Sequence, residues 1–420
     1  PRVQICAAAE VYRQAKRVIA CWGMGITQHQ NSVATIQMLL NWLMLRGNIG
    51  RPGAGPCPVR GHSNVQGDRT MGIWEKPPAQ LLDNLQKVFG FAPPRAHGFD
   101  TVASIQAMLD GRAKVFFALG GNFAAATPDT AQTRKALRQC DLTVHVATKL
   151  NRSHLVHGKA ALILPCLGRT EIDTQTTGVQ GVTVEDSMSM VHMSVGINPP
   201  ASTELLSEPA IVARLAALTL DARSKTPWLW LIADYNRIRD KIEAVFPDFH
   251  DFNQRIKLPG GFRLRNGASE RVWNTASKKA VFKVHPVPVD TPLLRARQRK
   301  GDAIVFALTT VRSHDQYNTT IYGNDDRYRG VFGQRRVVFV NAEDIQALGM
   351  KDGDWVDLHT VWDDFEERRV DGFKLVSYNI PRGCVAAYYP ETNALVPLSA
   401  VATNAGTPTS KCIPVLMLAH

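Results

Sequence analysis

The chain has 420 residues, 45% of them hydrophobic and 20% charged, a balance that supplies a core for more than one domain and excludes a disordered chain. Its 49 Lys and Arg exceed its 37 Asp and Glu by 12, but the basic residues are spread along the chain without interleaved aromatics. This pattern argues against a nucleic-acid partner and for an anionic ligand, and no apolar run reaches the ~20 residues that span a bilayer.

The first predicted elements are an alanine-rich helix, "AAAEVYRQAKR", an apolar strand in "VIACWGMGIT" and a long helix, "SVATIQMLLNWLMLRG". Apolar residues recur at three- and four-residue steps in the long helix, and Gly47 marks its end. Strand, glycine turn and helix form the unit of dinucleotide-binding folds, which collect ligands beyond the carboxyl end of the strand. The turn "GMGITQHQ" therefore offers Thr27, Gln28 and His29 to a ligand. A tight turn with a polar helix cap is the alternative.

A polar loop, "PVRGHSNVQGD", follows this helix at positions 58–68. Arg60 offers a planar fork of donors that suits a carboxylate or phosphate, and His62 can carry a proton or donate a hydrogen bond. Asn64 and Gln66 can bracket the donors and acceptors of a heterocycle. The equally supported alternative is a solvated loop in which Arg60 pairs with a nearby acid.

A second α/β unit begins with the strand "KVFFALGGN" and continues through the helix "TPDTAQTRKALRQC" to the strands "LTVHVAT" and "AALILP". We expect Thr127 to cap the helix and Pro128 to take its first position. Strands that alternate with helices predict a parallel sheet. Gly120 and Gly121 form a second glycine turn, and two such turns predict a shared crevice, with ordinary punctuation as the alternative.

Neither histidines nor cysteines predict a metal centre in this chain. His154 and His157 would share one helical face, but no third ligand accompanies them at a suitable spacing. The seven cysteines contain no CxxC pair, so no zinc ribbon or iron–sulfur cluster is predicted. Most of them lie in apolar runs, which favours reduced, buried thiols in a reducing compartment, taken to be the cytoplasm.

The second half of the chain differs from the first in its predicted elements. Residues 200–245 are predicted to be helical and residues 246–300 to be rich in loops. From Asp302 onward, short β-type runs separated by turns predict a mostly β domain, interpreted as a barrel, with one helix capped by Asn341. Two polar segments of this domain, either exposed loops or donors for a phosphate-rich ligand, contribute Arg312, Ser313, His314, Gln316, Asn318, Thr409, Ser410 and Lys411.

In this order the segments resemble the molybdopterin-dinucleotide oxidoreductases, and among them the formate dehydrogenase-like alpha subunits. The resemblance covers most of the chain and rests on the stretch from "GMGITQHQ" to "GDRTMG", on "LGGN", on "VNAEDIQALGMKDGDWVDLHT" and on "ETNALV" with "TPTSK". It implies Rossmann-like parallel α/β domains followed by a C-terminal, mostly β barrel of the double-psi type. The expected domains are the remainder of an α/β cofactor domain at 1–61 and a second α/β dinucleotide-binding domain at 62–200. A helical and loop-rich return segment is expected at 201–300 and the barrel at 301–420.

The resemblance also assigns roles to residues. Arg60 is implied to hold the carboxylate of the substrate beside molybdenum, and His62 stands where related enzymes have a glutamine near the pterin. The segment "VATKLNRSHLV" lacks the acidic residue usual after its strand, so we expect guanine recognition to differ there. The positions implied to bind the cofactor are Met24, Thr27, Gln28, Gly61, Gly120, Gly121, Asn122, Arg312, Ser313, Gln316, Asn393, Ser410 and Lys411.

The implied function is the two-electron oxidation of formate or a similar small carboxylate at molybdenum bis(molybdopterin guanine dinucleotide), with a redox partner protein or a small electron acceptor. The 4Fe–4S cysteines and the protein ligand to molybdenum are expected upstream of Pro1. The chain is therefore expected to be a C-terminal portion that is inactive alone. A non-catalytic cofactor-binding or assembly module of an electron-transfer complex is the alternative.

Overall fold

A computed structural model describes residues 1–317 and 319–420, so Asn318, a predicted donor of the barrel domain, lies outside the described residues. The chain divides into two compact units, each assembled from separate segments. Unit 1 comprises Pro1–Met24, Ala34–Phe99 and Pro165–His285, and unit 2 comprises Gly25–Val33, Asp100–Leu164 and Pro286–His420. The units interleave along the sequence, and the four consecutive domains remain a prediction.

The helices confirm the predicted N-terminal elements and the helical region at 200–245, and they add two, Phe252–Arg255 and Pro292–Lys300, inside the segment expected to be rich in loops. None of the helices in the described ranges has the length and apolarity needed to cross a membrane. The α-helices are α1 Arg2–Gln14, α2 Met24–Thr27, α3 Ser32–Leu45, α4 Val65–Thr70, α5 Ala79–Phe89, α6 Thr101–Leu109, α7 Phe123–Ala126, α8 Thr130–Gln139, α9 Glu208–Leu220, α10 Trp228–Ala233, α11 Tyr235–Val245, α12 Phe252–Arg255, α13 Pro292–Lys300 and α14 Ala342–Ala347.

The strands include every predicted one and several that the sequence did not predict, among them the last. They are β1 Ile19–Trp22, β2 Gly55–Pro58, β3 Val115–Leu119, β4 Leu142–Ala147, β5 Ala160–Pro165, β6 Asp173–Gln175, β7 Gly178–Gln180, β8 Val182–Glu185, β9 Met190–Ser194, β10 Phe262–Arg263, β11 Phe306–Val311, β12 Val337–Val340, β13 Trp355–Thr360, β14 Arg369–Ser377, β15 Cys384–Tyr388 and β16 Ile413–Ala419.

Unit 1 is built around small sheets. Strands β1 and β2 pair in parallel, and β8, β9 and β10 form an antiparallel sheet. An aromatic cluster of Phe249, Phe252 and Phe262 packs on this sheet at Val191 and excludes water from it. The parallel pair directs the carboxyl ends of β1 and β2 to one edge, where the loops after both strands begin.

Unit 2 contains the predicted parallel sheet, in the order β3-β4-β5, with α6 and α8 packed through buried Ile105 and Leu137. The predicted cap of α8 is wrong. Asp129, with φ of 47°, is the N-cap and accepts a hydrogen bond from the backbone of Gln132. The Thr127 hydroxyl instead donates to the carbonyl of Phe123 at 2.8 Å, which ends the short helix α7.

The C-terminal part of unit 2 confirms the predicted barrel. Six strands close in the order β11-β15-β12-β14-β13-β16, with parallel pairing of β11 to β15 and of β12 to β14. Alternate residues of β11, including Phe306 and Leu308, point into a core in which both are fully buried. Asn341 caps α14 by accepting from the backbone of Glu343, as predicted.

Candidate cofactor and substrate site

The first group of predicted site residues lies in unit 1, at the carboxyl ends of β1 and β2. The backbone N–H of Val59 donates to the carbonyl of Trp22 at 2.7 Å, which ties the two loops together directly after the strands. A Cβ on Gly61 would lie 3.3 Å from the Met24 methyl group, so glycine allows this side chain to pack on the loop. The fold thus brings Met24, Arg60 and Gly61 together.

Arg60 lies exposed on this loop. Its guanidinium donates to the amide oxygen of Gln66 at 2.7 Å, and its backbone N–H donates to the hydroxyl of Ser187 at 3.2 Å. In the part of the chain that the structure describes, Arg60 forms no salt bridge, although its positive charge does act on the carboxyl of Glu185. The remaining guanidinium donors face solvent and are available to an anion.

Glu185 lies behind this loop and was not predicted as a site residue. Its backbone N–H donates to the side-chain oxygen of Asn64 at 3.0 Å, so the amide predicted to bracket a heterocycle instead anchors β8. Burial raises the pKa of the Glu185 carboxyl, and the positive charge of Arg60 opposes this effect. The sequence does not show that Arg60 and Glu185 are neighbours, because 124 residues separate them along the chain. His62 lies half-buried on the same loop.

The second group lies in unit 2, where the C-terminal segment of the barrel meets the turn before α3. The Ser410 hydroxyl donates to the side-chain oxygen of Gln28 at 2.7 Å, and the backbone N–H of Lys411 donates to the Gln28 carbonyl at 3.2 Å. The Lys411 ammonium donates to the hydroxyl and carbonyl oxygens of Thr310. Thr27 lies half-buried in the same turn.

The electrostatics of this group favour an anion. Burial, together with the neighbouring positive charge of Arg312, lowers the pKa of Lys411 to about 8. Burial also lowers the pKa of His29, a backbone hydrogen bond at Gly25 opposes this shift, and Lys411 adds to it. Two cations and an imidazole that repel one another are stabilised when an anion lies between them. His29 is thus placed beside residues that the resemblance assigns to the cofactor.

A buried arginine holds the loop that follows β11. Arg335 donates to the Ser313 hydroxyl at 2.6 Å and to the side-chain oxygen of Gln316 at 3.1 Å. It also forms a salt bridge with Glu391 at 2.6 Å, and the Gln316 amide donates to the Tyr389 carbonyl at 2.8 Å. Ser313 and Gln316, both predicted to contact a cofactor, are therefore fixed by Arg335, which the sequence did not single out.

The "LGGN" turn lies at the end of β3. Gly120 and Gly121 have φ of 73° and 79°, a conformation that favours glycine, and a Cβ on either would meet nothing within 4 Å. The Asn122 amide donates to the carbonyl of Thr319 at 2.8 Å and its oxygen accepts from Ser153. The turn is therefore rigid and has open space in front of its backbone.

The amide of Asn393, another predicted cofactor residue, donates to the backbone carbonyls of Ala125 and Thr127. Asn393 is buried, and its amide donors hold the end of α7. His154 and His157 do not share a helical face, because the short 3-10 helix Arg152–Leu155 ends before His157. The His157 ring instead contacts the carbonyl of Gly158. Among the described residues, no group of three or more His, Cys, Asp or Glu side chains is arranged to hold a metal ion.

A cavity of about 1000 Å³ in unit 2 lies apart from these residues, between α6, α8 and the loops of the barrel. Acidic side chains outnumber the basic Lys135 and Arg368 on its walls, and they are Asp100, Asp110, Asp129, Glu366 and Glu367. An acidic wall repels a polyanion, so the size of this cavity does not make it the better candidate for a phosphate-rich cofactor.

Comparison with known proteins identifies the family. Residues 5–201 match the model described as molybdopterin oxidoreductase, and residues 306–415 match the model described as molydopterin dinucleotide binding domain. The chain belongs to the molybdopterin oxidoreductase family. The second match covers most of the closed barrel, including Arg312, Ser410 and Lys411, and it supports a molybdenum–pterin cofactor.

Relatives of this molybdopterin oxidoreductase chain include an uncharacterized oxidoreductase of Mycobacterium tuberculosis, 53% identical over 98% of the chain and 52% of the relative. Protein YdeP of Escherichia coli is 49% identical over 99% of the chain and 54% of YdeP. The chain therefore spans about half the length of the curated relatives it matches. Among solved structures, acetylene hydratase from Pelobacter acetylenicus has a TM-score of 0.53 at 14% identity, over 81% of this chain and 50% of the hydratase, which is a likeness of fold.

Proposed function

We propose that the chain is part of an enzyme that binds molybdopterin guanine dinucleotide and oxidises formate or a similar small carboxylate. The observation that carries this proposal is the cluster of Gln28, Arg312, Ser410 and Lys411, which gathers two cations and several donors in the family's dinucleotide-binding barrel. Such a cluster suits the phosphates of a dinucleotide. When bound, the cofactor supplies two-electron chemistry at molybdenum.

The described residues fit such a cofactor. Positive charges at Arg312 and Lys411 compensate phosphate charge, and the open backbone of Gly120 and Gly121 allows the close approach of a ligand. The Ser410 hydroxyl orients the side chain of Gln28 on the other side of the cluster. Each of these residues binds or orients the cofactor and none carries out the electron transfer.

The substrate side of the proposal rests on Arg60. Its exposed guanidinium stands at the carboxyl end of a parallel strand, where α/β folds bind ligands, and Gln66 fixes one edge of the fork. A guanidinium with one edge fixed presents its other edge to a carboxylate in a bidentate, charge-assisted pair. Electrons leave through a redox partner protein or a small acceptor, and the proposed compartment is the cytoplasm.

A non-catalytic cofactor-binding or assembly module is the second candidate, because this chain covers only about half of its relatives. The test is elemental and nucleotide analysis of the full-length protein from a host that makes the cofactor, followed by formate oxidation with an artificial dye. The enzyme is expected to contain molybdenum and guanine nucleotide and to reduce the dye. Cofactor without turnover of any small carboxylate would favour the module, and absence of both would overturn the proposal.

Retention of the cofactor is expected to depend on pH through Lys411. Because its pKa is about 8, the side chain is increasingly neutral as the pH rises above that value and then no longer attracts phosphate. A bound polyanion raises the pKa of Lys411. Between the pKa of the unbound protein and that of the bound protein, the affinity for the cofactor therefore falls by at most about tenfold per pH unit. The measurement is molybdenum retained by the full-length protein after dialysis between pH 7 and pH 9.5. In Lys411→Arg, which stays charged, retention should lose this dependence, and equal pH profiles would contradict the role of Lys411.

A further inference from the structure

Two cysteines of unit 1 face each other across neighbouring parallel strands. Cys21 is the third residue of β1, Cys57 is the third residue of β2, and the two are direct partners in the strand register. Both are free thiols, and their side chains share a hydrogen bond. Neither takes part in the proposed binding of cofactor or substrate.

The strand geometry suits a covalent bond between these thiols. Neighbouring strands lie about 4.8 Å apart, and directly opposed residues of a parallel pair project to the same face. Disulfides join residues whose Cα atoms are about 4.4–6.8 Å apart. Cys21 and Cys57 can therefore be joined while the strand pairing of β1 and β2 persists.

Unit 2 offers an internal comparison. Cys384 begins β15 and Cys412 immediately precedes β16, and these two strands flank β11 on its opposite sides. Two strand spacings amount to roughly 10 Å, which exceeds the reach of a disulfide. Cys384 and Cys412 thus lie in the same barrel without being within reach of a disulfide, whereas Cys21 and Cys57 are directly opposed on adjacent strands.

We propose that Cys21 and Cys57 form a redox-responsive pair that closes to an intrachain disulfide when the protein meets a low-molecular-weight disulfide oxidant. The Cys21 thiolate attacks one sulfur of the oxidant, breaks its S–S bond and releases one thiolate, which leaves a mixed disulfide on Cys21. The Cys57 thiolate then attacks the Cys21 sulfur and releases the second thiolate. Two electrons pass to the oxidant, and the two protons lost by the cysteines are taken up by solvent or by the released thiolates.

Exposure sets the order of these steps. The prediction of buried thiols is wrong for most of the cysteines, since only Cys140 and Cys166 are buried. Cys21 is exposed and reaches the oxidant directly, whereas Cys57 is half-buried. Burial raises the pKa of Cys57, and the hydrogen bond from Cys21 raises it further, so Cys57 is less suited to make the first attack. Its position suits the second attack, because the mixed disulfide forms directly opposite it.

The two cysteines shortly precede, along the chain, residues that are proposed to bind ligands. Met24 follows Cys21 by three residues, and Arg60 follows Cys57 by three residues. The hydrogen bond from the Val59 N–H to the Trp22 carbonyl joins the two segments between the cysteines and these residues. A disulfide at this point restrains both loops from their common base. The disulfide itself does not rest on the proposed function, whereas its effect on substrate turnover does.

The test treats the full-length protein with oxidised glutathione and maps the thiols by alkylation and mass spectrometry. Cys21 and Cys57 should lose alkylation together, and their peptides should appear as one species lighter by two hydrogen atoms. Cys57→Ser should stop at a mixed disulfide on Cys21, and Cys6→Ser, which removes another exposed cysteine of the same unit, should change nothing. Oxidation of the wild-type protein that stops at a glutathione adduct on Cys21, or that yields disulfide-linked dimers, would overturn the proposal.

A second measurement reports on the loop without requiring turnover. Trypsin cleaves after the exposed Arg60, and restraint of the loop should slow this cleavage several-fold in the oxidised protein. Cleavage after exposed Arg95, elsewhere in unit 1, should keep its rate and serve as the internal control. Equal cleavage rates at Arg60 before and after disulfide formation would show that the bond forms without restraining the loop, and would overturn that part of the inference.

Discussion

Arg60→Lys is expected to lower kcat/KM for formate by roughly 30- to 1000-fold in the full-length, cofactor-loaded protein. The substitution keeps the positive charge but removes the planar fork that pairs with both oxygens of a carboxylate. Loss of one or two hydrogen bonds to a charged carboxylate costs about 2–4 kcal/mol, which gives this range of rates. Lysine also loses the hydrogen bond that now fixes the guanidinium to Gln66.

The matched control for this prediction is Arg69→Lys. Arg69 is exposed on α4, nine residues further along, and donates to the carbonyl of Ile73 at 3.5 Å. Turnover in this variant should be unchanged. Molybdenum content, measured in both variants, separates loss of substrate binding from loss of cofactor. If Arg60→Lys keeps both its molybdenum and its formate turnover, Arg60 does not bind the substrate and the proposed substrate class loses its main support.

The elements that the sequence predicted well are those whose signals are local. A run of apolar residues at three- and four-residue steps predicts α3, and the apolar run before Gly120 predicts β3 with its turn. The barrel was predicted from short β-type runs with turns between them, and the pairing closes it. Its last strand, β16, is not predicted, because "IPVLMLA" carries a proline at its second position and proline argues against a strand.

Contacts between distant parts of the chain were beyond the sequence. Gln28 and Ser410 are 382 residues apart, and the resemblance placed both at the cofactor but did not show that they bond to each other. The cap of α8 was assigned to Thr127 because its type and the following proline are favourable. Asp129 is the cap instead, since its carboxylate also forms a salt bridge at 3.1 Å with Arg368 of the barrel domain. Tertiary contacts of this kind override a local preference.

Arg335 shows the limit most clearly. In the segment "GQRRVV" it is one of two adjacent arginines, and nothing in their order distinguishes a buried side chain from an exposed one. In the structure Arg335 is 6% exposed, whereas Arg336 is exposed and donates to the carbonyl of Asp371. The residues that Arg335 binds lie between 12 and 56 positions away, so they are neighbours only after folding.

Because of these contacts, Arg335→Met is expected to lower the free energy of unfolding by about 3–5 kcal/mol, since it leaves the carboxylate of Glu391 without its partner. The Glu391 side chain is 16% exposed, so water compensates only part of the loss. The Arg335 guanidinium also lies 4.2 Å from the ring centroid of Tyr322, and methionine keeps some of that apolar contact. The measurement is urea unfolding of the full-length protein, and Arg336→Met is the matched control, with an expected change within about 1 kcal/mol.

A second substitution separates an unpaired charge from lost packing. If the uncompensated carboxylate causes most of the destabilisation, Glu391→Gln in the background of Arg335→Met should recover part of it, because a neutral amide costs less to bury. If packing causes it, the double variant should be no more stable than Arg335→Met alone. Both variants should also release the cofactor more readily, since Ser313 and Gln316 lose the donor that fixes them. A variant as stable as the wild type would show that the buried arginine is dispensable for the loop after β11.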